Sequence, residues 1–216
     1  MNVEKARYLA ETMEERSHTD RVWLNNPVIM QGLGLAPLVV ADTSGQNALI
    51  LALAVVLLLT PTRVIGTLLR AHTPGWCAPL CYVGVACLLY IPVHWLCLEV
   101  FGLAIRQVGI YLPLLVADQL VIRRYAAKTI ESPFRALHRG FSVTVGYVLV
   151  LLIVGFLREF LAMGTLLDNT ITEMQLFPLA AQPAGGFILL GALCALWRGC
   201  IRWYKKHVNM EAKIGV

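Results

Sequence analysis

Two short apolar stretches, each interrupted by Gly or Pro and each ending on a carboxylate, restrict this chain more than any other feature. The first is Gly32-Leu-Gly-Leu-Ala-Pro-Leu-Val-Val-Ala-Asp42 and the second is Gly109-Ile-Tyr-Leu-Pro-Leu-Leu-Val-Ala-Asp118. With Pro37 superposed on Pro113, five of six residues agree from the proline through the aspartate. Proline removes a backbone donor and crowds the carbonyl four residues back, so a helix running through it kinks or unwinds. In hydrocarbon the freed backbone groups must be buried in protein or face a polar cavity. A matched pair of interrupted apolar segments in the two halves of a chain is the pattern of a membrane site built from half-helices.

The rest of the chain agrees with a membrane setting. Hydrophobic residues make up 58% and charged residues 14% of the 216 residues, and the mean hydropathy is +0.68. A soluble domain carries about 45–50% apolar and about 25% charged residues. Six apolar spans are expected, at about 27–41, 46–70, 77–98, 107–122, 140–163 and 184–204. The first and fourth are short against the roughly 20 residues a helical crossing takes. Residues 1–25 carry mixed charge and lack the apolar run of a signal peptide, so they read as an amphipathic segment outside the bilayer. Residues 206–216 read as a second, C-terminal tail.

Lys and Arg set the orientation. With residues 1–26, 62–73, 123–139 and the stretch from about 198 onward on the cytoplasmic side, 16 of the 18 basic residues lie inside. Only Arg106 and Arg158 remain for the far side or the membrane. Both termini are therefore expected in the cytoplasm. The fold expected is an all-α integral membrane protein whose six transmembrane helices form two inverted three-helix repeats, about 26–98 and 101–205, each opening on a short broken helix. The sequence pI of about 9.0 then reflects topogenic charge, not a nucleic-acid surface. No nucleotide loop, Ser/His/Asp arrangement or soluble domain is present in the sequence, so no catalytic residue is assigned.

Ionisable residues at membrane depth are functional candidates. Asp42 and Asp118 close the two half-helices, where a carboxylate could relay a proton, bind a cation, cap a neighbouring broken helix through its N–H groups, or sit solvated at the headgroups. Arg158 and Glu159 are adjacent on one span and point in different directions, so each is expected to pair with another element or another chain. The six cysteines, at 77, 81, 87, 97, 194 and 200, lie in or beside apolar spans. Buried, unpaired thiols suit that pattern better than a disulfide framework.

The order and spacing of several stretches resemble the RnfE (or RsxE) component of the Rnf electron-transport complex and the related NqrD component of the sodium-pumping quinone reductase. They are Asn26-Pro-Val-Ile-Met-Gln-Gly-Leu-Gly-Leu-Ala-Pro-Leu38, Asn47-Ala-Leu, Gly109-Ile-Tyr-Leu-Pro-Leu, Gly140-Phe-Ser and Leu157-Arg-Glu-Phe-Leu-Ala-Met-Gly-Thr-Leu-Leu-Asp168. The resemblance covers roughly residues 26–204. It implies a subunit of the bacterial cytoplasmic (inner) membrane, paired with a homologous six-helix, RnfA-like subunit of opposite topology. Other Rnf components carrying flavin and iron–sulfur clusters would complete the assembly. The pair would hold a [2Fe-2S] cluster at its interface, with two cysteines from each chain, and the whole would couple NADH/ferredoxin electron transfer to Na+ or H+ movement. This chain would be an enzyme component only within that assembly.

At the implied cluster positions the sequence departs from the family. Ala36 stands where the first cysteine is expected and Gln119 where the second is, while Asp42 and Asp118 replace uncharged polar residues. The cluster could be held by the partner with substitute ligands such as Asp118, be absent, or be replaced by another electron route. The expectation favoured is a subunit that keeps the scaffold and ion-coupling role with the cluster lost or altered. A stand-alone inverted-repeat transporter using Asp42 and Asp118 is the alternative, and a purely structural scaffold is a third.

Overall fold

A computed structural model describes residues 12, 20–70, 72–74, 76–117, 132–167, 169–172 and 175–214. Four long helices carry the architecture: α1 (Gly45–Arg70), α2 (Ala78–Phe101), α3 (Pro133–Met163) and α4 (Pro183–Ile214). All four are long and apolar enough to cross a membrane. They match the second, third, fifth and sixth expected spans. Helix α3 begins at Pro133, well before the expected start at 140. Proline is well placed in a first helical turn, and the turns that follow it interrupt Phe134 and Leu137 with Arg135, His138 and Arg139, so they give no continuous apolar run. Helix α1 runs on through Pro61 and α2 through Pro92.

The first and fourth expected spans are not continuous helices. Residues 21–31 form successive turns, and Pro37–Ala41 makes a single turn of π-helix. Residues 42–44 then separate that turn from α1. In the second stretch a 3-10 turn at Gly102–Ala104 leads to Ile105–Val108, Tyr111–Leu114 and Leu115–Ala117. Glycines at positive φ punctuate both stretches: Gly32 (65°), Gly34 (69°), Gly102 (56°) and Gly109 (56°). Pro37 and Pro113 each fall in the first turn of the short helical piece that follows such a glycine. Pro37 starts its piece and Pro113 is the third residue of its own, so within their first turns they cost no intrahelical bond; the glycines make the breaks. Tyr111–Leu114 packs against Pro37–Ala41, so the two broken stretches meet. Asp118, Gln119, the basic segment after Val121 and nearly all of residues 1–19 lie outside the described residues.

Helices α1 and α3 form the central pair and run antiparallel. Gly155 of α3 lies against Ala48 near the start of α1, and Gly140 lies against Thr60 and Arg63 near its end. Between these points the Thr60 and Thr144 hydroxyls share a hydrogen bond of 2.9 Å. Small residues let the backbones approach, which is how helices associate where no hydrophobic drive operates between them. Helix α2 folds back on α1, with Tyr82 stacked over Gly66 and its hydroxyl 3.4 Å from that of Thr67. Helix α4 packs on the π turn. The loop from 164 to 182 holds a two-residue antiparallel ladder, Thr165–Leu166 with Asn169–Thr170, and a 3-10 turn at Pro178–Ala181.

The first broken stretch threads between α3 and α4. Asn26 contacts Gly146 and Asp42 contacts Arg158, so its path along α3 covers twelve residues of helix, about 18 Å at 1.5 Å per residue. That is well short of a hydrocarbon core of about 30 Å.

The two glycines before Pro37 give a clean test. A Cβ on Gly32 meets nothing within 4 Å, whereas one on Gly34 would overlap the Tyr147 ring. Gly32→Ala is expected to cost only the left-handed strain of about 1–2 kcal/mol, and Gly34→Ala distinctly more. Thermal unfolding of the two purified variants should rank them in that order; equal midpoints would contradict the packing described.

Candidate functional site

Breaking a helix leaves carbonyls and amides without partners on both sides of the break. The site at residues 36–47 is organised around how those groups are supplied. Pro37 opens the π turn, and Asp42 N–H closes it by donating to Pro37 O at 3.1 Å. Thr43 and Ser44 then reset the chain. Ser44 caps α1, with its Oγ accepting from Asn47 N–H at 3.3 Å.

Arg158 supplies the carbonyl side. It is fully buried. Its Nη1 donates to Val39 O at 2.6 Å and to Asp42 O at 2.8 Å, its Nε to Ala180 O at 2.9 Å, and its Nη2 to Gln182 O at 3.3 Å. The guanidinium thus ties the C-terminal end of the π turn to the loop ahead of α4. Gly186 of α4 leaves room for this: a Cβ there would stand 3.0 Å from both Arg158 Cζ and Val39 O. The neighbouring Glu159 supplies the amide side. Its Oε2 accepts from Gly45 N–H, the first residue of α1, at 2.6 Å, and its Oε1 accepts from Thr165 Oγ1 at 3.1 Å. A carboxylate at a helix N-terminus is stabilised by the positive end of the helix dipole. Two consecutive residues of α3 therefore hold the two sides of one break, the expected partnering with other elements.

The other end of the broken stretch is held in the same way. Asn26, fully buried, donates from Nδ2 to Gly146 O at 2.7 Å and accepts at Oδ1 from Val28 and Ile29 N–H. Tyr147 Oη donates to Gly34 O at 3.0 Å. Arg198 of α4 donates from Nε and Nη2 to Ile29 O at 3.0 and 2.7 Å. Trp197 beside it donates to Trp23 O at 3.1 Å, and the two indole rings stand 4.3 Å apart. From the sequence Arg198 counts only as a topogenic charge, and Asn26 and Asn47 only as parts of a resemblance. The one signal that points to their structural roles is the need to supply main-chain groups that the breaks at Gly32 and Gly34, and at Asp42, leave open.

Asp42 lies at the break with its side chain buried between α3 and α1. Its Oδ1 faces the Cα of Gly155, where an added Cβ would overlap it and the Ala48 methyl. Among the described residues neither carboxylate oxygen has a hydrogen-bond partner, and Asn47 Oδ1 is in the same condition. The Asn47 amide group donates to Ala41 O and Thr43 Oγ1, both at 3.1 Å. Asp42 is therefore not a solvated headgroup-level residue, nor does its side chain cap another helix among the described residues. Its would-be counterpart Asp118 is not among them.

Ala36 immediately precedes Pro37 and is exposed; its methyl offers no ligand atom. The six cysteines sit on α2, α4 or just before α2, all unpaired, and none is on either broken stretch. Among the described residues no three His, Cys, Asp or Glu side chains converge as a metal site. The residues present on this chain do not fit a thiolate-held cluster beside Pro37. His94 is exposed and its Nδ1 is 3.1 Å from Tyr90 Oη, as a surface position would have it.

Residues 16–194 match the family model described as "Rnf-Nqr subunit, membrane protein". Three curated relatives, each named as the E component of an ion-translocating oxidoreductase complex, are similar over most of their length. That of Shewanella sp. (strain W3-18-1) is 32% identical over 203 residues, covering 86% of this chain and 87% of the relative. That of Haemophilus influenzae (strain PittEE) is 33% identical over 193 residues, 81% of each chain. That of Shewanella baltica (strain OS185) is 34% identical over 192 residues, 81% and 82%. The chain belongs to the Rnf-Nqr family of membrane subunits. It is accordingly a multi-pass membrane protein, and the charged groups at the break sit within a membrane fold.

Loss of Arg158 should show what the clamp contributes. Arg158→Gln removes the charge and leaves at least two buried carbonyls unsupplied, at about 1–3 kcal/mol each. Thermal unfolding of the purified chain is expected to fall well below wild type, while Arg106→Gln, at an exposed position, should leave it unchanged. Matching midpoints for the two variants would refute the clamp.

Proposed function

We propose that this chain is a membrane subunit of an Rnf-type ion-translocating oxidoreductase complex, which couples NADH/ferredoxin electron transfer to Na+ or H+ movement across the bacterial inner membrane. The observation that carries the reading is the family match together with relatives of that name aligned over more than four-fifths of their length. The chain is not a self-sufficient enzyme in this reading: it supplies a membrane element to the complex, and no catalytic residue is assigned to it.

Six spans in two inverted repeats remain the architecture we favour, with both termini cytoplasmic. Two features support it. Helices α1 and α3, the second helix of each repeat, run antiparallel as inversion requires. The two broken stretches pack on each other at Pro37–Ala41 and Tyr111–Leu114, as paired half-helices do in inverted-repeat folds. The natural neighbour is a homologous six-helix subunit of opposite topology, with flavin- and iron–sulfur-bearing proteins completing the assembly. Asp42, with Asp118 as its equivalent, is the candidate for the ion pathway.

The cofactor reading follows from the misfit at Ala36. This chain keeps the scaffold and ion-coupling role, and the interfacial [2Fe-2S] centre is lost or held by altered ligands. Iron and acid-labile sulfide assays on the purified pair should give less than one full cluster per pair; one full cluster with ordinary all-cysteine spectra would overturn this.

Gentle anaerobic solubilisation of the tagged chain, followed by mass spectrometry of what co-purifies, tests the assignment. Stoichiometric recovery of a homologous membrane subunit with redox partners is expected. Recovery of the chain alone as a homodimer would overturn it in favour of a stand-alone transporter.

A further inference from the structure

We propose that Asp42 is a proton-binding group, a carboxyl that takes up and releases one H+ at the break ahead of α1 with Arg158 as its fixed counter-charge. The use of that proton in ion translocation rests on the reading given above; the binding itself rests on local geometry.

Three ionisable groups are buried together at the break: Arg158, Asp42 and Glu159. Glu159 is supplied by Gly45 N–H, by the N-terminus of α1 and by Thr165. Arg158 directs its bonds at four main-chain carbonyls, one of them Asp42 O, and none at a carboxylate oxygen of Asp42. Glu159 has donors for both its oxygens, whereas the two oxygens of Asp42 have none among the described residues. A buried carboxylate without hydrogen-bond donors is far more costly than its neutral acid. One proton removes this donor-less charge and turns Asp42 from an acceptor into a donor. The unsupplied Asn47 Oδ1 at the same turn is an acceptor in need of one.

The surroundings favour a proton over a metal cation. Hard cations take about six oxygen ligands. Here Oδ1 is walled by the Gly155 backbone and the Ala48 methyl. The carbonyls of Val39 and Asp42 are engaged by Arg158, and that of Ala41 by Asn47 Nδ2. On α3 the ionisable groups beside Asp42 are Arg158 and Glu159. The start of α4 around Gly186, the π turn and the first two turns of α1 carry none, and in the second broken stretch the described part holds the exposed Arg106 and the half-buried Tyr111, the latter on the piece that packs against the π turn.

Infrared difference spectroscopy of the full-length wild-type chain in lipid vesicles tests this without reference to activity. The expected result is a deuterium-sensitive C=O band of a buried carboxylic acid that vanishes on alkalinisation and is missing in Asp42→Asn. Asp42→Ser is the second variant should Asp42→Asn fail to fold, thermal unfolding being the check. A band unchanged in both variants overturns the proposal. So does a band that vanishes on adding Na+ at constant pH, which would make the site a metal-cation site. A chain that purifies without redox partners yet shows the Asp42 band removes the complex reading and leaves this one standing; co-purification without the band does the reverse.

Discussion

A broken backbone at membrane depth has to have every polar group supplied from protein, and the structure follows from that requirement. In water the carbonyls of residues 29–42 would be hydrated. In hydrocarbon each unsupplied group costs several kcal/mol. The chain meets the need with side chains that would be expensive in the same place if they had nothing to do: Arg158 and Arg198, which grip carbonyls at the two ends of the stretch, and Asn26 and Tyr147, which tie it to α3. The two arginines come from different helices. Three elements are thereby fixed to one another, and helices that gain little from hydrophobic packing in lipid acquire a defined arrangement.

The same requirement explains where the small residues fall. Gly186 admits the Arg158 guanidinium to Val39 O, Gly155 admits Asp42 to the α1–α3 seam, and Gly34 brings its carbonyl within reach of the Tyr147 hydroxyl. None of these follows a simple GxxxG spacing. They mark places where a polar group, not another helix backbone, has to enter.

Much of the architecture is legible in the sequence because it rests on length and polarity. The four long helices begin and end within a few residues of the expected spans except at Pro133 and at the C-terminal end of α4, and Arg158 and Glu159 reach other elements because neighbours on a helix diverge. The role of the prolines is different from what their sequence position implies. Pro37 and Pro113 sit within the first turn of short helical pieces, and the interruption belongs to Gly34 and Gly109, because only a glycine takes positive φ without strain. Arg198 is hidden among topogenic charges: a count of Lys and Arg gives orientation but says nothing of which guanidinium turns inward. Asn26 and Asn47 are hidden because an amide's value depends on which carbonyls and amides the break exposes, and that is a tertiary fact.

Charge separates this break from a merely structural one. Arg158 and Glu159 each have main-chain groups to hold, but Asp42 brings a buried carboxyl with none, six residues after Ala36, on the same stretch that lacks the thiol its family resemblance implies. The two departures act in opposite senses. Ala36 offers no ligand atom beside the meeting point of the broken stretches, and Asp42 adds a buried ionisable group a little further along. The Asp42 carboxyl stands beside the Arg158 charge without a hydrogen bond to it, and the positive end of α1 is already taken by Glu159, so its charge state turns on whether a proton is present.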